Sequence, residues 1–179
     1  MLYSIVNELN ETLQGGFITK IYQPDPTLFN ICFRKDKNNF QLFIILDSDL
    51  QGLFLSKQNI PNPPIPTAFT MQLRKHLEGS FLHDIEQPGL DRLLAFNFDP
   101  FTLVVEFMGR NRNLVLTKDG LILGAMRHKG KNSPRPLLPG GKYNYPPNQG
   151  KLTPTIFNIK QLTSSKPGAP IWQLLFDNL

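Results

Sequence analysis

The chain has very few of the residues that disulfide and metal sites require. Cys32 is its only cysteine, and the 179 residues include just three histidines, His76, His83 and His128. A single cysteine excludes a disulfide framework within the chain and a thiolate zinc site. Because no acid or thiol lies at metal-ligand spacing from a histidine, we interpret the histidines as structural and expect no metal and no cofactor.

Long apolar runs are missing as well. No stretch reaches the about 18 apolar residues that a membrane-spanning helix requires. The N-terminus has no basic region followed by a long apolar stretch, which is the pattern of a signal peptide. These absences predict a cytoplasmic protein with no membrane partner.

The motifs of several enzyme classes are also absent. The sequence contains no glycine-rich phosphate loop of Walker or Rossmann spacing and no Gly-x-Ser-x-Gly elbow. Asp91 and Glu106 are candidates for a carboxylate pair, but nothing in the sequence brings them together. We therefore expect that the chain is not an enzyme acting through its own nucleophile.

Acidic residues almost disappear between positions 110 and 142, where Asp119 is the only one. The same segment holds eight basic residues: Arg110, Arg112, Lys118, Arg127, Lys129, Lys131, Arg135 and Lys142. Its net charge is +7, and because the whole chain carries +5, the remainder carries −2. Such a local excess is typical of a phosphate-facing surface, although an ordinary solvated face has the same appearance in sequence.

Hydrophobic periodicity predicts an α+β domain. Helices are expected at 4–14, and at 67–77 with Thr67 as its cap and Gly79 as its end. Strand-like runs separated by turn residues occupy 17–23, 28–34, 40–46, 80–87, 91–98, 101–108, 112–117 and 121–127, with an Asp-Gly turn before the last. Because the runs are short and follow one another closely, we expect two antiparallel sheets.

The composition changes after Ser133. Eight of the 16 prolines lie between Pro134 and Pro170, and only 154–163 and 169–178 keep a helical pattern. We expect this part to be an extension of the domain.

Two charges open an otherwise apolar strand in "GLDRLLAFNF", residues 89–98. Side chains alternate between the faces of a strand, so Arg92 shares a face with Leu94 and Asp91 points away from it. We expect at least one of the two charges to meet another molecule at the edge of the sheet. The alternative is that the pair anchors the fold, with Asp91 capping a turn and Arg92 buried against an acid.

The segment "EFMGRNRNLVL", residues 106–116, combines a flexible glycine with guanidinium and amide donors between two strands. Such donors recognise phosphates, ribose hydroxyls and base edges. The alternative is a plain hairpin turn in which Gly and Asn adopt positive φ.

Six ordered segments together resemble one family. They are "LNETLQGGFITKIYQP", "PNPPIPTAFTMQLRKHLEG", "DIEQPGLDRLLAF", "VVEFMGRNRNLVL", "DGLILGAMRH" and "PRPLLPGGKYNYPPNQGK". They resemble the N-terminal NFACT domain of the RqcH, NEMF and Tae2 proteins, whose bacterial members are often labelled fibronectin-binding protein A. The resemblance implies an NFACT N-terminal domain at 1–151. Residues 152–179 would be a Pro-rich linker and helical extension leading to C-terminal segments that this chain does not include.

The resemblance implies a non-catalytic tRNA- and ribosome-binding module of ribosome-associated quality control. Its partners would be tRNA and a large ribosomal subunit holding peptidyl-tRNA, and its role would be to recruit tRNA for untemplated C-terminal tailing of stalled chains. The residues that match the family's RNA-binding motifs are Arg74, Lys75, Asp91, Arg92, Glu106, Met108, Gly109, Arg110, Asn111 and Asn113. Position 112 departs from the family pattern, since Arg stands where Ser is common.

Two other functions stay open. The resemblance implies an α+β fold with an antiparallel β-sandwich-like core flanked by helices, similar to the N-terminal domain of formamidopyrimidine-type DNA glycosylases. Those enzymes attack with an N-terminal proline amine followed by Glu. Here Leu2 and Tyr3 occupy those positions, so that chemistry does not transfer. The family label suggests an adhesin that binds fibronectin or another host protein, which would require export by a route not visible in the sequence.

Overall fold

The computed structural model describes residues 2–146 except positions 64, 90, 110 and 111. Residues 1–88 and 92–144 form one compact unit. A second unit comprises 89–91 and the chain from 145 onward, of which Gly89, Asp91, Tyr145 and Pro146 are described. The helices predicted at 154–163 and 169–178, and the domain boundary predicted at 151, lie outside the described residues.

The first sheet has four antiparallel strands in chain order. They are β1 (Phe17–Asp25), β2 (Leu28–Lys35), β3 (Asn38–Leu46) and β4 (Gln51–Leu55). The first three confirm the strands predicted from sequence. The fourth was not predicted, because only Leu53 of its five residues is buried and no clear alternation marks it.

The second sheet has five antiparallel strands, again in chain order. They are β5 (Asp84–Glu86), β6 (Leu93–Asn97), β7 (Phe101–Glu106), β8 (Asn113–Lys118) and β9 (Leu121–Ala125). The antiparallel pairing and the Asp-Gly turn are confirmed, since Asp119 and Gly120 both have positive φ. Two boundaries were wrong: only Asp84–Glu86 of 80–87 forms a named strand, and Asp91 and Arg92 precede β6 instead of lying in it.

Two helices complete the described architecture, α1 (Leu2–Leu13) and α2 (Ala68–Leu77). Thr67 caps α2 as predicted: its hydroxyl accepts a hydrogen bond from the Thr70 N–H at 3.1 Å. Gly79 follows the helix at φ 85°, where a side chain would be strained. In the described part of the chain, no helix is long and apolar enough to span a membrane.

The five-stranded sheet is covered on both faces. One face contributes Leu94, Phe96 and Leu116 to a large core shared with the other sheet and both helices. The opposite face belongs to a second apolar cluster that includes Leu93, Val104, Val115, Ile122, Ala125 and Leu137. Leu137 comes from the irregular segment after β9, so this segment acts as a cover over the second face.

The covering segment is also hydrogen-bonded to β9. Ile122 donates its N–H to the Gly141 carbonyl at 2.8 Å and accepts from the Gly140 N–H at 2.8 Å. The Tyr143 N–H donates to the Gly120 carbonyl at 2.8 Å. These bonds hold residues 137–143 beside the last strand and pair backbone groups that an edge strand leaves unsatisfied.

The Thr67 cap gives a direct test of how α2 is held. Its hydroxyl serves the Thr70 N–H and also donates to Gln23 Oε1 at 2.6 Å, which joins the helix to β1. We expect Thr67→Ala to lower the free energy of unfolding by about 1–2 kcal/mol in urea titrations. Thr67→Ser keeps the hydroxyl and should lose much less. Equal losses in the two variants would contradict this role of the hydroxyl.

Candidate nucleic-acid interface

Several residues singled out from the sequence meet at one end of the five-stranded sheet. The register pairs Leu93 with Glu106 and Glu106 with Asn113, and the Phe107 N–H donates to the Arg92 carbonyl at 2.7 Å. Arg127 is next in this row, because its backbone N–H and carbonyl are hydrogen-bonded to the Asn113 side chain. Since neighbouring strands lie ~4.8 Å apart, this row from Arg92 to Arg127 spans roughly 15 Å. We call Arg92, Glu106, Asn113 and Arg127 the arginine end of the sheet.

Glu106 is the buried centre of this end. Its side chain is 1% exposed, and its carboxylate accepts hydrogen bonds from both terminal nitrogens of Arg135, with Nη1 to Oε2 at 3.0 Å. The Tyr143 hydroxyl donates to Oε1 at 2.8 Å. A carboxylate out of water requires such partners, and two-point pairing with an arginine is the strongest of them. Glu106 therefore lies below the surface of the site, where its carboxylate holds Arg135 and Tyr143 in position.

Arg135 is committed to this pair and is only 15% exposed. Its Nε donates to the Asn144 carbonyl at 2.6 Å, and its guanidinium lies 5.0 Å from the centroid of the Tyr143 ring. Burial acts to lower the pKa of Arg135, but the Glu106 carboxylate more than offsets this, so the pKa is raised. One of the eight cations of the basic segment is thus neutralised inside the fold.

Asn113 is also buried and bonded to backbone. Its amide nitrogen donates to the Arg127 carbonyl at 2.8 Å, and its Oδ1 accepts from the N–H groups of Arg127 at 2.9 Å and Leu114 at 3.0 Å. An Asn side chain can mimic a peptide group in this way. Asn113 therefore fixes the backbone that carries Arg127.

Arg112, the residue that departs from the family pattern, reaches the loop between β3 and β4. Its Nη1 donates to the Ser48 carbonyl at 3.1 Å. Its Nε is buried without a hydrogen-bond partner among the described residues. The Asp49 N–H, the Ser48 hydroxyl and the Arg112 charge all lower the pKa of Asp47 in this loop. Arg112 thus ties the arginine end to the four-stranded sheet.

The other predicted site residues that the structure describes here are exposed or half-buried. Arg92 and Arg127 are exposed, Met108 and Asp91 are half-buried, and Gly109 is exposed with φ 46°. The exposure of Arg92 argues against the alternative in which it is buried against an acid. Open space surrounds Gly109, since nothing lies within 4 Å of the position that a Cβ would occupy, but its positive φ disfavours other residues. Positions 110 and 111, both predicted site residues, lie outside the described part.

The two site residues on α2 have different surroundings. Arg74 donates from Nε to the Ile21 carbonyl at 2.7 Å, lies 5.7 Å from the Tyr22 ring centroid and is 4.0 Å from Glu78. The Arg74 side chain is thus held by contacts within the domain. Lys75 is exposed on the same helix.

The sequence did not reveal the partners of Glu106. Arg135 and Tyr143 lie 29 and 37 residues away along the chain, and no periodic pattern connects them to β7. The one signal in the sequence was the glutamate itself, at the end of an apolar strand where an unpaired charge is costly.

Comparisons with known proteins identify the family. The family model described as "NFACT N-terminal and middle domains" matches residues 1–179. The chain belongs to the NFACT family. This confirms the resemblance drawn from the six sequence segments.

Relatives place this NFACT chain among longer proteins. It is 37% identical over 167 residues to the Rqc2 homolog RqcH of Bacillus subtilis, covering 85% of this chain and 29% of that protein. It is 26% identical over 179 residues to ribosome quality control complex subunit NEMF of Homo sapiens, covering 97% of this chain and 16% of that protein. The NFACT chain therefore spans less than a third of either relative.

A solved structure shows the same fold. The N-terminal part of the fibronectin/fibrinogen-binding protein of Streptococcus suis superposes on the NFACT chain with a TM-score of 0.84 at 32% identity. The superposition covers 94% of this chain and 68% of the other.

The buried pair in the NFACT chain yields a stability prediction. We expect Arg135→Met to lower the free energy of unfolding by about 3–5 kcal/mol, because it leaves the Glu106 carboxylate buried without its cation. The double variant Glu106→Gln/Arg135→Met should lose less than Arg135→Met alone, since no unpaired charge remains. Urea unfolding of the single and double variants measures the difference. Additive losses from the two substitutions would show that the pair is not coupled.

Proposed function

We propose that this NFACT domain is a non-catalytic RNA-binding module of a ribosome quality control factor. In this proposal the arginine end of the sheet contacts tRNA, and the longer protein carries the domain to large ribosomal subunits holding peptidyl-tRNA. The observation that carries the proposal is the exposure of Arg92 and Arg127 beside a glutamate whose charge is neutralised from within by Arg135. Two exposed arginines at one end of the sheet form a suitable surface for an anionic backbone.

The residues divide into two roles under this proposal. Arg92 contacts a phosphate or a base edge, and Asp91 accepts a hydrogen bond from the RNA. Glu106 and Asn113 do not contact the RNA themselves. They hold neighbouring groups in position, because their polar atoms are bonded to Arg135, Tyr143 and the backbone of Arg127. Met108, Gly109, Arg110 and Asn111 would extend the contact along the loop before β8.

The family supports the wider role. NEMF is a ribosome quality control complex subunit by name, and RqcH is named as an Rqc2 homolog. We infer that this domain recruits tRNA in the cytoplasm for untemplated C-terminal tailing, with the peptidyl-transfer chemistry left to the ribosome. It would need no catalytic residue and no cofactor of its own.

A protein-binding role is the second candidate. The Streptococcus suis relative is named for fibronectin and fibrinogen binding. Surface binding of this chain to immobilised fibronectin, unaffected by replacing Arg92, would favour that role. A glycosylase-like enzyme, the third hypothesis, would release bases from damaged duplex DNA, and its fold likeness stays a prediction.

The decisive variant is Asp91→Ala/Arg92→Ala. We expect it to weaken tRNA binding strongly, by about 5- to 150-fold, because an Arg contact to a base contributes ~1–3 kcal/mol. We expect the melting temperature to change little, since Arg92 is exposed and an exposed charge seldom contributes more than ~1 kcal/mol to folding. For the half-buried Asp91 we expect no more than the contribution of a single hydrogen bond, about 0.5–1.5 kcal/mol. Fluorescence anisotropy with labelled tRNA and thermal melting on the same sample measure both.

Arg34→Ala is the matched control, because Arg34 is an exposed arginine on β2 of the other sheet. It should leave tRNA affinity unchanged. Unchanged tRNA binding by the double variant, or a sharp fall in its melting temperature, would count against the proposal.

Binding should also depend strongly on salt. If about four phosphates are contacted, the logarithm of the tRNA association constant should fall with the logarithm of salt concentration at a slope near −3. Titrations between low and physiological ionic strength give the slope. A flat response would mean that the basic segment is an ordinary solvated face.

A further inference from the structure

A groove lies between α2 and the end of β9. Its volume is about 660 Å³, and it is lined by Ala68, Phe69, Met71, Gln72, Lys75, His76, Ala125 and His128. The helical residues recur at spacings of three and four, so they form one face of α2. We call this the α2 groove.

A close contact between helix and strand lies beside the groove. Gln72 donates from Nε2 to the Leu123 carbonyl at 2.8 Å. Gly124 lies against the end of the Gln72 side chain, since a Cβ at that position would overlap the side-chain amide. The hydrogen bond joins α2 to β9 next to the groove.

The groove has an apolar floor and a cationic rim. Met71 is 51% exposed, although it is apolar. Lys75 and His128 are exposed, and His76 lies with its ring centroid 5.1 Å from that of Phe101. Among the described residues, no acidic one lines the groove. An occupant with one apolar part and one anionic part would complement both features.

The electrostatic surroundings of His76 agree with a positive rim. Burial lowers the pKa of His76, and the charges of Lys75 and Lys118 lower it further. The rim is therefore cationic while His76 is neutral, and protonation of the imidazole below its normal pKa would add to that charge.

A metal ion is a poor candidate occupant. Within the described residues, no group of three His, Cys, Asp or Glu could hold one. His76 and His128 therefore lack the further ligands that a tetrahedral site requires.

We propose that the α2 groove binds one nucleotide of the RNA that the arginine end holds, with its phosphate at Lys75 and His128 and its base over Met71. This inference rests on the proposed function. The groove is of the size of a small-molecule site, which suits a single nucleotide. Single-stranded nucleic acid is commonly held by a positive groove together with side chains that contact the base.

Continuity with the arginine end favours RNA over an acidic peptide. His128 directly follows Arg127, whose backbone is fixed by Asn113, so the two side chains start ~3.8 Å apart along the chain. A strand that contacts Arg127 therefore reaches the groove within about one nucleotide. The groove would make the surface that recognises RNA wider than the motifs at Asp91 and Glu106 indicate.

The test uses the 179-residue chain and deacylated tRNA. We expect Lys75→Ala/His128→Ala to weaken tRNA binding about five- to twentyfold and to make the salt slope shallower by about 1, since one phosphate contact is lost. Lys57→Ala/His83→Ala is the matched control, because both side chains are exposed and neither lines the groove. Thermal melting of both variants verifies that they fold.

A second readout does not depend on affinity. With tRNA carrying 4-thiouridine, ultraviolet crosslinking should attach RNA to the peptide that contains Met71 and Lys75. A crosslink map confined to the neighbourhood of Arg92, with unchanged affinity of Lys75→Ala/His128→Ala, would overturn the groove proposal and leave the proposed function standing.

Two other outcomes are informative. If the unaltered chain binds no tRNA, both proposals fall. If a polyglutamate peptide, and not tRNA, loses affinity in Lys75→Ala/His128→Ala, the groove is a protein-docking site and the nucleotide proposal is wrong.

Discussion

The ion pair between Glu106 and Arg135 is the interaction on which the candidate site depends. A carboxylate at the end of a buried strand must be neutralised, and its partner comes from the segment that follows β9. The pair holds Arg135 at the arginine end, and Leu137, two residues later, packs in the second apolar cluster. The ion pair, the apolar cluster and the backbone bonds to β9 together hold the covering segment against this face of the sheet.

Buried and exposed side chains have different roles at this end of the sheet. Glu106 and Asn113 are buried and bonded, so they fix the positions of the backbone and of Arg127. Arg92 and Arg127 are exposed, so another molecule can reach them. This division allows an acidic residue to belong to the proposed RNA-binding surface, because Arg135 neutralises the Glu106 carboxylate inside the fold.

Local patterns predicted most of the fold. The α2 cap, the Asp-Gly turn and the antiparallel order depend on residues close in sequence, and each is confirmed. The short strand β4 was missed because it carries a single buried residue. The candidate site was predicted only in part. The partners of Glu106 are distant along the chain, and the anchoring of Arg74 to Ile21 depends on tertiary packing that a helical pattern does not show.

The sequence separation within the ion pair also matters while the protein is being made. Synthesis proceeds from the N-terminus, so β7 emerges from the ribosome with Glu106 while Arg135, 29 residues later, is still to come. During that interval the sheet cannot close over Glu106 without burying a lone carboxylate. The domain should consequently complete its fold only after the covering segment has emerged, which delays burial of Leu93, Val104 and Val115 to the end of its synthesis.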